Sequence, residues 1–118
     1  MAKEHREQIV AKAGGYVPPI ALVDAATVTP DCSKGTSFTW TVGGARTLAN
    51  PTNLKDGMPI TVRIKQDGTG TRTVTFGSKW KLPSGFAIST AANKVDLLNG
   101  IYYADLDQIL CGILTGIA

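Results

Sequence analysis

The chain of 118 residues and 12.4 kDa is one domain with at most a short appendage, and a composition of 43% hydrophobic and 18% charged residues favours a packed core over global disorder. Its formal charge of +3 is small. Its basic residues from Arg46 to Lys94 are scattered singly, which argues against a nucleic-acid partner. No apolar run approaches the ~20 residues of a membrane span, and residues 1–7 carry acidic groups where a secretion signal needs an apolar stretch. Synthesis and assembly in a cytoplasm, away from membranes, are therefore expected.

In chain order, residues 3–13 have room for about three helical turns, with Ile9, Val10 and Ala13 as a thin apolar stripe. Gly14-Gly15 ends that segment, and Tyr16-Val17-Pro18-Pro19 continues in extended form because two prolines exclude helix. Residues 1–22 form an expected N-terminal arm. Ile9, Val10, Tyr16, Val17, Pro18, Pro19 and Ile20 are its candidate partner-binding residues, since they are more apolar than a tail requires.

From residue 23 onward the pattern is that of strands and turns. Residues 20–23 and 26–30 are short β-rich runs. Residues 36–42 alternate, with Phe38, Trp40 and Val42 on one side and Ser37, Thr39 and Thr41 on the other. Gly43-Gly44 turns the chain, residues 46–48 return, and residues 50–57 are a surface connection. Residues 60–66 alternate again, and residues 71–76 are β-branched and aromatic. Between them Asp67-Gly68-Thr69-Gly70 predicts a hairpin reversal, with Asp67, Gly68 and Gly70 as its structural turn residues.

Trp80, Leu82 and Phe86 read as core plugs or edge covers, and residues 89–93 leave room for one helical turn. Residues 95–103 form a long apolar strand whose Asn99-Gly100 marks a bulge or tight turn, and residues 109–114 form the last strand. No internal repeat is visible. The fold expected is all-β: an antiparallel β-sandwich or jelly-roll-like barrel of about seven or eight short strands over residues 23–118.

Catalysis lacks ingredients. His5, the only histidine, lies in the arm, Glu4 and Glu7 are the only glutamates, and most aspartates sit beside Gly, Pro or Asn in predicted turns. No metal-ligand spacing occurs, so no metal, cofactor or enzymatic activity is expected. Cys32 and Cys111 are a possible disulfide. A reducing cytoplasm favours free thiols, with pairing within or between chains open to a particle released into an oxidising medium.

Residues 38–42, 46–57 and 64–76, followed by Trp80-Lys81, residues 89–93 and residues 95–98, carry a likeness over positions 28–118. The chain resembles a β-module recurrent in tailed-bacteriophage virion proteins. That module occurs in tail fibres, tail proteins and head-surface proteins, so the resemblance implies a virion structural part without choosing its location. Because the module is nearly the entire chain here, the closer likeness is to a small capsid decoration (cement) protein. Such a protein would clamp the head surface as a homotrimer on the major capsid protein. The apolar run 109–117 also predicts a homo-oligomer. Two alternatives stand beside it. One is a small tail-fibre or baseplate module that binds host-surface glycan. The other is a carbohydrate-binding module outside any virion, for which Trp40, Trp80, Tyr102 and Tyr103 must be exposed together.

Overall fold

A computed structural model describes residues 16–118. Among them the fold is all-β, with nine strands: β1 (Ile20–Ala21), β2 (Thr27–Val28), β3 (Ser37–Val42), β4 (Arg46–Leu48), β5 (Pro59–Gln66), β6 (Val74–Phe76), β7 (Trp80–Lys81), β8 (Val95–Tyr103) and β9 (Gln108–Leu114). They form a six-stranded sheet of order β1-β3-β5-β8-β9-β7 and a three-stranded sheet of order β2-β4-β6.

From β1 to β6 the chain alternates between the two sheets, and every pairing within this part is parallel: β1 with β3, β3 with β5, β2 with β4, and β4 with β6. This is a short two-sheet coil. Its successive turns also meet at a corner, where Asp31 bridges Thr52 in parallel and Cys32 N–H donates to the Thr52 carbonyl at 2.9 Å. β8 then runs antiparallel to β5, β9 antiparallel to β8, and β7 parallel to β9. The antiparallel arrangement expected from the turn-rich pattern is thus confined to one end. Alternation marks a strand and its buried face but carries no sign of its direction.

The predicted hairpin over residues 60–76 does not form, since β5 and β6 lie in different sheets. Past the turn the chain is held instead by the buried amide of Gln66, which is 1% exposed. Its Oε1 accepts from Arg72 N–H at 3.0 Å and its Nε2 donates to the Arg72 carbonyl at 2.9 Å, taking the place of a strand partner. Asp67 is a turn residue as expected, its Oδ1 accepting from the N–H groups of Thr69 and Gly70 at 3.0 Å each. Gly70 has φ +75°, the left-handed conformation that favours glycine. Gly68 is not among the residues with positive φ, and a side chain there would meet nothing within 4 Å. Of the two glycines, only Gly70 is required by the turn.

Residues of the six-stranded sheet that point inward build the core: Phe38, Trp40 and Val42 on β3, Ile60, Val62 and Ile64 on β5, Leu98 and Tyr102 on β8, and Ile109 on β9. Val28 and Leu48 meet them from the smaller sheet. Trp40 is 1% exposed, and its indole N–H donates to Asp24 at 3.0 Å. Trp80 is also buried, its indole N–H donating to the Ala49 carbonyl at 3.1 Å. Both tryptophans bury large rings with their one polar atom satisfied.

β8 runs unbroken through Asn99 and Gly100. A Cβ at Gly100 would lie 2.6 Å from Ile109 Cγ2 and 2.9 Å from Cys111 Sγ, so this glycine marks a close approach of β8 and β9 rather than a bulge or turn. No helical turn forms at residues 89–93. Ser89 N–H is instead drawn to the buried carboxylate of Asp96 at 2.7 Å, which also accepts from Gly116 N–H at 2.8 Å.

Candidate functional site

The outward face of the six-stranded sheet divides into two halves of opposite chemistry. Because β3, β5, β8 and β9 keep one register, their outward residues form continuous rows. On β3 and β5 these are Ser37, Thr39, Thr41, Thr61, Arg63 and Lys65, which water solvates well, with Pro59 at the β5 end that faces Ile101. Across β8 and β9 the rows become apolar. Leu97 stands opposite Leu114, and Ile101 opposite Leu110. Ile101 is 39% exposed, Tyr103 38%, Leu110 44% and Leu114 56%, and Leu106 in the β8–β9 turn is 52% exposed. Arg63 beside Leu97 and Lys81 beside Leu110 set a charged rim on either side.

The residues singled out in the sequence are distributed as follows. Ile9 and Val10 lie outside the described residues. Tyr16, Val17, Pro18 and Pro19 are exposed and belong to no strand, whereas Ile20 opens β1 opposite Phe38. Leu22 N–H donates to the Thr39 carbonyl at 2.8 Å, so residues 20–22 are already tied to the sheet. Together with Thr27, Val28 and Phe38, Ile20 and Leu22 line a groove of about 270 Å³ between β1 and β2. Cys32 and Cys111 are free thiols, and burial pushes both up to about 11, so neither is a reactive thiolate near neutrality.

Of the aromatics that a sugar-stacking site requires, Trp40, Trp80 and Tyr102 are buried, and Tyr103 alone faces solvent. Among the described residues no group of three or more His, Cys, Asp or Glu side chains gathers for a metal ion. The charged residues instead fasten corners. Asp24 accepts from Arg46 at 2.9 Å and 3.1 Å and from Gly43 N–H at 3.1 Å, and the Arg46 guanidinium holds its carboxyl below the usual range. The Arg72 guanidinium and the turn amides hold Asp67 at about 2. Asp31 is likewise held at about 2 by the hydroxyl and N–H of Ser33 and by Asn53. Asp107 is lowered by Lys79 and also accepts from the Tyr102 hydroxyl. Each carboxylate closes a turn or joins neighbouring segments; Asp31 also lies with Lys34 at the edge of the groove between β1 and β2, its oxygen Oδ1 already taken by Ser33 and Asn53.

The apolar face of β8 and β9 was only half visible in the sequence. The run 109–117 stood out as more apolar than one small sandwich needs, but not its pairing with Leu97, Ile101 and Tyr103, which depends on register. No curated protein and no solved structure matches the chain. Residues 28–105, about two thirds of it, match the family model described as "Putative phage tail fibre C-terminal domain". The matched span runs from β2 through β8 and so includes most of the coil and the first strand of the antiparallel end. The chain belongs to this phage tail fibre C-terminal domain family and is a phage virion protein module.

Proposed function

We propose that the chain is a non-enzymatic structural domain of a phage tail fibre that works as a homo-oligomer. The family match over residues 28–105 carries this reading. It supports a virion protein, and it fits the fibre better than the head surface and the major capsid protein to which the likeness to decoration proteins pointed. The geometry agrees with a structural part: carboxylates spent on turn amides and arginines, one buried and one half-buried thiol, and a sheet with one largely apolar outward half. A host-glycan site built by stacking on Trp40, Trp80 and Tyr102 is not favoured, because all three rings are in the core.

The test is immunogold labelling of intact virions with antibody raised against residues 16–118, viewed by electron microscopy. Gold on the fibres, with a handful of copies per particle, is expected. Gold distributed over the head, with hundreds of copies, would overturn the fibre reading and restore the decoration protein.

A further inference from the structure

We infer that the outward face of β8 and β9, centred on Ile101, Leu110 and Leu114, is the surface through which copies of this chain pack against one another. The inference rests on the homo-oligomer reading above and names its contact.

Three observations lead there. The first is contrast within one sheet. The outward rows on β3 and β5 show what this sheet carries where it meets water: threonines, a serine, an arginine and a lysine. One strand further on, Arg63 gives way to Leu97 and then Leu114, and the row that begins at Pro59 on β5 continues as Ile101 and Leu110, with Asn99 and Gly112 between these two rows and Tyr103 beyond them. Nothing in strand geometry asks for that change, because each of these residues has an inward-facing neighbour that already serves the core.

The second is layout. The Leu97–Leu114 and Ile101–Leu110 pairs lie on one face of two paired strands, separated by the Asn99–Gly112 pair, with Arg63 and Lys81 at the sides and exposed Leu106 in the turn beyond. An apolar centre inside a polar rim is the anatomy of a protein–protein contact. Gly112, opposite Asn99 between the two apolar pairs, adds no side chain to the face, and a Cβ there would meet nothing within 4 Å.

The third is area. Exposures of 38–56% on side chains of this size leave roughly 80–100 Å² each, so Ile101, Tyr103, Leu106, Leu110 and Leu114 present roughly 450 Å² per copy. That is the size of the largest apolar patch on a typical monomer, and such patches are often functional. Two copies face to face would remove about 900 Å² through these residues alone, and the rim would carry the total past the ~1,000 Å² of a specific interface. An apolar surface is covered by another like it, so a second copy meets its requirement without a partner of matched charge.

The experiment uses the full chain. Sedimentation velocity across a concentration series is run on the wild type, on Leu110→Lys and Leu114→Lys, and on Thr41→Lys from the polar half, with far-UV circular dichroism to verify folding. The wild type and Thr41→Lys are expected to sediment at a multiple of 12.4 kDa, and the two leucine variants at 12.4 kDa with an unchanged spectrum. A wild-type monomer at every concentration would overturn both the interface and the homo-oligomer reading. Association unaffected by either leucine variant would overturn this face alone. Should a lysine disturb folding, a photo-crosslinking residue at position 110 or 41 of the otherwise native chain decides. Covalent multimers from 110 and not from 41 support the interface, and the reverse overturns it.

Discussion

The parallel coil of β1–β6 and the antiparallel end formed by β8 and β9 share a sheet and a core, yet they are held together differently. Coil strands in the smaller sheet are two or three residues long, and their ends are fixed by side chains: Asp24 with Arg46 and Trp40, Gln66 with Arg72, and Asp67 with the amides of the turn. β8 and β9 are nine and seven residues long and pair along almost their whole length. Side chains of the coil end are thus committed to the domain itself. At the antiparallel end a long backbone ladder shares that work with inward and turn side chains, Asp96 holding Ser89 and Gly116 and Asp107 holding Lys79 and Tyr102. The outward apolar side chains of β8 and β9 take no part in it. The difference separates a scaffold from the proposed contact surface.

The largest effects should come from the shared core, where the two regions are expected to behave alike. Trp40→Ala in the coil should destabilise by about 3–5 kcal/mol and Leu98→Ala in β8 by about 2–5 kcal/mol, read by chemical denaturation. A mild Trp40→Ala would mean that the coil is an appendage rather than part of one cooperative unit.

A smaller effect distinguishes the two glycines of the 67–70 turn. Gly70→Val places a Cβ 2.7 Å from the Ala92 nitrogen and the Thr90 carbonyl oxygen, backbone atoms that cannot swing aside, at a φ of +75°. It should cost at least about 1–3 kcal/mol, whereas Gly68→Val should stay within about 0.5 kcal/mol of wild type. Equal losses in the two variants would contradict the turn geometry.

Acid sharpens the comparison more gently. Asp31 and Asp67, both in the coil, are held at about 2, below the ordinary carboxylate range. Groups with depressed folded values contribute stability that is complete above their unfolded value near 4 and is lost as the pH falls toward 2. Amide protection at the coil corners, taken relative to the intrinsic exchange rate at each pH, should therefore fall between about pH 4 and pH 2, ahead of the centres of β8 and β9. Asp67→Asn should remove part of that dependence. Protection lost first in β8 would put the acid-sensitive contacts in the other region.

Much of the coil was legible as strands and almost none of it as a coil. Phe38-Thr39-Trp40-Thr41-Val42 and Ile60-Thr61-Val62-Arg63-Ile64 alternate so regularly that both strands and their buried faces follow from the residues. Their parallel pairing does not follow, because one coil turn spans 18 residues (20 to 38) and the next 24 (38 to 62), and such unequal turns leave no repeat. Gln66 closes the alternating run 60–66, and its role as a buried clamp on Arg72 has no local signature. Asp67 and Gly70 were legible as turn formers, but a turn that changes sheets uses the same residues as one that reverses within a sheet. The contact face was visible in Leu110, Leu114 and their apolar neighbours, and incomplete without the register that brings Leu97 and Ile101 beside them.

Hydroxyl-radical footprinting of the chain at low and high concentration, read residue by residue by mass spectrometry, addresses the division between scaffold and contact surface most directly. Ile101, Tyr103, Leu106, Leu110 and Leu114 should be labelled in the dilute sample and protected in the concentrated one. Val23, 85% exposed in the coil, should be labelled equally in both. Unchanged labelling of the β8 and β9 residues, or protection that falls on Val23 in their place, would contradict the account.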